Sequence, residues 1–175
     1  VIWSVPAGWL LYFYRPPGGS PLVPAALYSA VIFGVRAASA LLATPIGYLS
    51  DHTRSRWGRR LPYMFVSVLP MTAFFVLLWT PPDPDTSILN LVYLAGVFGL
   101  YAASCTLHQT PTTALMPEIA VTERHRVRLS AFASGAMLIG MIVSAIAGPM
   151  IDRMGYAKMA LVFSIGLLPV FYLPF

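Results

Sequence analysis

Apolar residues run through this chain in long blocks, with polar residues gathered into short breaks between them. Val1 to Tyr14 is apolar and aromatic and stops at Arg15-Pro-Pro-Gly-Gly, a strong breaker. A second run, Val23 to Ser50, ends at a basic hinge. A third, Leu61 to Trp79, ends at the acidic, proline-rich Pro81-Pro-Asp83-Pro-Asp85. The fourth covers Ile88 to Thr113, and the polar stretch Pro117 to Arg128 separates it from a fifth, Leu129 to Ala147. Asp152-Arg-Met-Gly155 makes the last turn, before a run from Tyr156 to Phe175. A bilayer-spanning helix needs about 20 predominantly apolar residues. The pattern therefore predicts an all-α membrane protein of six transmembrane helices at 1–14, 23–50, 61–79, 88–113, 129–147 and 156–175. The first and last are expected to be incomplete. The chain opens inside an apolar run with no basic signal-peptide region and closes inside another, so it reads as one bundle of a longer protein.

Composition agrees and removes other classes. Charged residues make up 10% of the chain and mean hydropathy is +0.74, whereas a soluble domain carries about a quarter charged residues. The net charge of +5 does not point to nucleic acid, because seven of the eleven basic residues fall in two turns: Arg54, Arg56, Arg59, Arg60, Arg124, Arg126 and Arg128. Both turns are expected on the cytoplasmic side, and the acidic Pro81–Asp85 turn on the other, which puts the N-terminus in the cytoplasm. Arg153 and Lys158 against Asp152 lean weakly the opposite way. Cys105 is the single cysteine, so no internal disulfide and no cysteine-rich metal site is expected. No nucleophile–base or metal-ligand constellation is seen, and neither an enzyme activity nor a cofactor is expected.

One internal match organises the helices. Gly47-x-x-x-Asp51 at the end of the second run recurs as Gly148-x-x-x-Asp152 at the end of the fifth, 101 residues later (148−47, 152−51). Three helices per copy place the second copy upside down, as a 3+3 inverted repeat.

Within the spans, Arg36 is the one charge near mid-membrane, where facing lipid costs at least about 2.5–3.5 kcal/mol. It is expected to face a wet cavity as a substrate or gating group, or to bond buried carbonyls on a neighbouring helix. Small residues recur every fourth position on the second helix: Ala30, Gly34 and Ala38, and beside them Ser39, Ala43 and Gly47. Such ridges serve close helix packing. The fourth run ends in an unusually polar segment, Ser104 to Thr113, that suggests a cavity wall. Within it, His108 is either a proton-coupling group or a hydrogen-bonded packing residue. Gln109 lies on the adjacent face.

The hinge, Gly47-Tyr-Leu-Ser-Asp51 followed by Arg54-x-Arg56-Trp57-Gly58-Arg59-Arg60, resembles the cytoplasmic signature loop of the major facilitator superfamily. In its fuller form, D-x-T-x-S-R-W-G-R-R-x-P-Y, it is similar to the glycoside–pentoside–hexuronide:cation symporter family, to which melibiose permease belongs. Pro111-Thr-Thr-Ala-Leu-Met-Pro117-Glu118 and Glu123-Arg-x-Arg-x-Arg128-Leu-Ser resemble a second segment of that family. The resemblance implies the N-terminal half of a secondary transporter working by alternating access. Its partners would be the bilayer, a C-terminal six-helix half or other membrane subunits, and a small solute, in a bacterial inner membrane. It implies a gating role for Gly47, Asp51, Arg54, Arg56, Gly58, Arg59 and Arg60, and a substrate cavity lined by Arg36, His108, Gln109, Trp3, Tyr12 and Tyr14. The family's cation-site carboxylates, aligned on Pro45, fall at Ala40 and Thr44 on the second helix and at Gln109 on the fourth. None is acidic here, so the usual sodium site is not expected. The alternative is a transporter-derived subunit that no longer transports and serves as a scaffold in a larger membrane complex.

Overall fold

The computed structural model describes residues 4–119 and 122–172, and every regular element among them is an α-helix. The order is α1 (Ser4–Tyr14), α2 (Ala25–His52), α3 (Leu61–Leu77), α4 (Ile88–Ile119), α5 (Glu123–Met154) and α6 (Tyr156–Tyr172). By length and composition α2, α4 and α5 can cross a membrane, and α3 and α6 are shorter apolar helices.

The helices differ most from the apolar runs at their polar ends. α5 starts at Glu123 and ends at Met154, beyond the expected 129–147 at both ends, and α4 continues past Thr113 to Ile119. The polar stretch read as a connection is thus largely helical. Backbone hydrogen bonding does not stop where the lipid does, and local caps decide the ends. Thr122 accepts a hydrogen bond from the His125 amide and caps α5, with Glu123 in the first turn complementing the helix dipole. At the other end Gly155 takes a φ of 79°, a conformation costly for any residue with a Cβ, and its amide bonds Ile151 O at 2.8 Å. α2 carries Pro45 without interruption and ends when the Thr53 amide bonds back to Leu49 O.

α4 packs against both α2 and α3, α3 against α6, and α5 against α1 and α6. The core is aromatic at the end away from the basic hinge. There Trp79 stacks on Tyr156 at 5.5 Å, Phe13 meets both rings, and the buried Tyr14 donates its hydroxyl to Leu78 O. Asn90, fully buried, closes the proline-rich turn by donating to Asp83 O and Asp85 O and accepting from the Asp83 amide. That one side chain satisfies three backbone groups that proline-rich sequence leaves without helical partners.

Gly148 of α5 shows how a residue without a side chain lets two helices cross closely. A Cβ built there would lie 2.8 Å from two ring atoms of Trp9, while the Trp9 indole donates to Ser144 O one turn away. The ring is held against α5 and cannot retreat without losing that bond. Gly148→Ala is therefore expected to destabilise the bundle by about 1–3 kcal/mol. Gly135→Ala on the same helix, with nothing within 4 Å, is expected to be neutral or mildly stabilising. Thermal unfolding of the two variants in detergent checks the contrast, and equal behaviour would remove the packing argument.

Candidate functional site

The polar end of α4 meets the small-residue face of α2 around an open cavity of about 600 Å³. Arg36, Ser39, Ala40 and Ala43 line it from α2, and Thr106, Gln109, Thr110 and Thr113 from α4. Each set follows the i, i+3, i+4, i+7 spacing of one helix face. Arg36 is the twelfth of the 28 residues of α2, near the middle of a helix long enough to cross a membrane. It is exposed on this bundle, and its charge reaches the buried Tyr101 and Cys105 of α4. A guanidinium at that depth belongs in a wet cavity, because exposure to hydrocarbon costs several kcal/mol.

The hydroxyls have a polarity of their own. Ser39 donates to Val35 O at 2.8 Å, Thr106 to Ala102 O at 2.8 Å and Thr113 to Gln109 O at 3.0 Å. Their protons are engaged with the helix backbone, so toward the cavity they offer lone pairs. The wall therefore combines a fixed cation, a primary amide that both donates and accepts, and a row of acceptors. No carboxylate is among the described residues that line it.

Arg36 and Gln109 are thus brought together, as the sequence suggested, while other expected lining residues are placed elsewhere. The His108 ring turns away from α2. Its Nδ1 lies 3.1 Å from Ser67 Oγ and 3.3 Å from Met64 O on α3, and the ring makes an edge contact with Phe171 on α6 at 5.1 Å. One step along a helix rotates a side chain by about 100°, which separates His108 from its cavity-lining neighbour. Tyr14 is buried in the aromatic core, and Tyr12, 52% exposed, packs beside Trp9 on α1. Trp3 lies outside the described residues. On α2 the side chain that faces the cavity below Ala40 is Ala43, and Thr44 is not among the lining residues. Thr106 and Thr110 lie in the polar α4 segment already read as a cavity wall, and what sequence reasoning does not find is that Ser39, read as a packing residue, lines the same cavity with them. Their signal is the coincidence of an α2 small face with an α4 hydroxyl face, which needs the pairing of the two helices to be seen.

At the arginine-rich end, the hinge assembles an ion pair. Arg60 donates through Nε at 3.1 Å and Nη2 at 2.7 Å to one oxygen of Asp51. Arg60 is 8% exposed, tucked beneath the start of α3, while Arg54, Arg56 and Arg59 stay at the surface. Gly58 makes the turn possible with a φ of 93°. Tyr63 from α3 hydrogen-bonds Thr53 at 2.6 Å and braces the other side. Gly47 sits against α4, where a Cβ would come 3.6 Å from Thr110 Cγ2, so the motif glycine is also a helix-crossing residue.

Comparison with known proteins places these features. The chain is 34% identical over 143 residues to the uncharacterized symporter sll1374 of Synechocystis sp., covering 79% of this chain and 26% of that protein. It is 29% identical over 156 residues to the isoprimeverose transporter of Lactiplantibacillus pentosus, covering 87% of this chain and 31% of that protein. It is 26% identical over 148 residues to the inner membrane symporter YicJ of Escherichia coli, covering 84% and 31%. The chain thus spans about a third or less of the length of these relatives. No solved structure matches it. The family model described as MFS/sugar transport protein matches residues 1–174, and with its membrane-length helices and signature hinge the chain belongs to that family of integral membrane proteins.

Proposed function

We propose that this bundle is the N-terminal half of a secondary transporter that moves a small solute by alternating access. The observation that carries the reading is the cavity between α2 and α4, in which the mid-membrane Arg36 meets Gln109 and a row of hydroxyls. The solute sits there against a C-terminal bundle, is neutral or anionic, and enters without the family's usual sodium site. Ala40, Ala43 and Gln109 supply no negative charge with which to hold a cation, and Arg36 repels one.

The inverted repeat belongs to the same reading. Gly47 of α2 faces Thr110 of α4, and Gly148 of α5 faces Trp9 of α1. The 101-residue offset that relates the two glycines also relates the residues they meet (148−47, 110−9). An upside-down second copy exchanges α2 with α5 and α1 with α4, so it turns the first contact into the second. The helix pairings α2 with α4 and α1 with α5 support it in the same way.

Orientation follows from the charges: the hinge is cytoplasmic and Pro81–Asp85 lies outside. With Cys105 replaced, a cysteine at Asp83 is expected to react with an impermeant thiol reagent added to whole cells, and one at Ser55 only after permeabilisation. The reverse pattern would overturn the orientation. Transport itself is tested by counterflow with the full-length protein in proteoliposomes, across a panel of neutral and acidic sugars. Exchange of a panel member supports the proposal. Tight binding without any exchange would leave a non-transporting subunit.

A further inference from the structure

We infer that the cleft beside Trp57, at the arginine-rich end of the bundle, is a binding site for the headgroup of an anionic phospholipid. The inference rests on the membrane location of the chain and is independent of whether it transports.

The cleft has a volume of about 200 Å³ and is lined by Trp57, Gly58, Arg59, Arg60, Leu61 and Leu115. Its parts have separate roles. Arg60 is turned inward onto Asp51 and forms the back wall, whereas Arg59 stays at the surface, with Arg54 and Arg56 on the same hinge. Four arginines stand against one aspartate between residues 51 and 60, so the rim is strongly positive. Gly58, with its left-handed backbone and nothing within 4 Å of where a Cβ would stand, keeps the mouth open at the point where the chain reverses. Leu61 and Leu115 give the cleft an apolar side from the ends of α3 and α4.

Trp57 makes the choice of ligand. Its ring is 60% exposed, yet it is anchored on its inner side by an edge contact to Phe65 at 5.6 Å, and Phe65 in turn meets Tyr172 of α6 at 4.8 Å. A large indole anchored on one side and left more than half bare at the end of membrane helices is suited to the headgroup layer, where an amphipathic ring satisfies both its apolar body and its N–H. A cationic rim over an apolar wall at that level matches a phosphodiester attached to a glycerol and acyl chains. A free phosphate ion would use the arginines but not Leu61, Leu115 or the bare face of Trp57.

The test uses the full-length protein in nanodiscs of zwitterionic lipid doped with phosphatidylglycerol or phosphatidylcholine brominated near the headgroup. The Trp57 signal is the difference from Trp57→Phe. Half-maximal quenching is expected at about fivefold lower content of the brominated anionic lipid, the preference one basic residue near the surface confers. Arg59→Gln should erase the difference, and so should about 1 M salt, at which screening acts within roughly 3 Å. Native mass spectrometry of parent and Arg59→Gln protein, counting retained phosphatidylglycerol, gives a readout free of the tryptophan substitution. Equal quenching by the two lipids, or a preference that survives Arg59→Gln, would overturn the site. Relief of quenching by soluble glycerol phosphate at the same level as by lipid would reduce it to an anion site and overturn the phospholipid assignment.

Discussion

In the full-length protein, Arg36→Gln is expected to lower affinity for an anionic solute about a hundredfold while leaving neutral solutes nearly unaffected. The size of the effect follows from charge alone. Two unit charges about 6 Å apart at an effective dielectric of about 20 interact by roughly 3 kcal/mol, and about 1.4 kcal/mol is tenfold in binding. The cavity around Arg36 has acceptor-rich hydroxyls and the Gln109 amide but no second fixed cation among its described lining residues, so nothing nearby replaces the lost charge. Arg36→Lys is expected to retain much of the affinity, less the planar two-pronged geometry that lysine lacks. The same charge predicts the ion dependence. Replacing sodium by choline is expected to leave uptake unchanged, because a cation entering beside Arg36 meets the same interaction, about 3 kcal/mol, as repulsion. A strong sodium requirement would refute this reading of the cavity and place the coupling carboxylates on other parts of the protein.

The second large effect concerns the hinge. Asp51→Asn is expected to slow exchange between inward- and outward-facing states severalfold, with solute affinity in the static protein little changed. Arg60 places two donors on a single Asp51 oxygen and is itself nearly buried, so the amide leaves a desolvated guanidinium facing a weak acceptor. The pair lies at the end of α2, whose last residue is sixteen positions beyond the middle-depth Arg36 (52−36), which ties its effect to the helix end and not to the cavity. Asp51→Glu is expected to restore part of the rate. Measuring counterflow rate and equilibrium binding on the same preparations separates the two effects. Unchanged exchange in Asp51→Asn would reduce the hinge to a topological signal.

Other arginines of the hinge were equally good partners for Asp51 on sequence grounds. Arg54 and Arg56 are nearer in the chain, but Gly58 reverses the backbone and brings Arg60 back over the end of α2. Both Arg59 and Arg60 follow that positive-φ residue, and of the two it is the buried Arg60 that meets Asp51 while Arg59 stays at the surface.

Membrane character, the order of the described helices and the signature hinge were legible in the sequence, whereas the break read between the fourth and fifth runs proved largely helical. The legible features rest on local quantities: runs of apolar residues against bilayer thickness, and glycine, proline and charge at the turns. Azimuth and pairing came from the packing of the helices. An apolar helix surrounded by lipid or by other apolar helices carries little periodicity to say which face looks inward. A shift of one residue therefore takes a side chain out of the cavity: His108, next to Gln109, turns onto α3, and Thr44, next to Ala43, is exposed elsewhere on α2. The pairing of α2 with α4 gathered Ser39, Thr106 and Thr110 around Arg36 from separate stretches of sequence. The pairing of α5 with α1 set Trp9 against Gly148, a contact that exists only because two distant helices cross where one of them has no side chain.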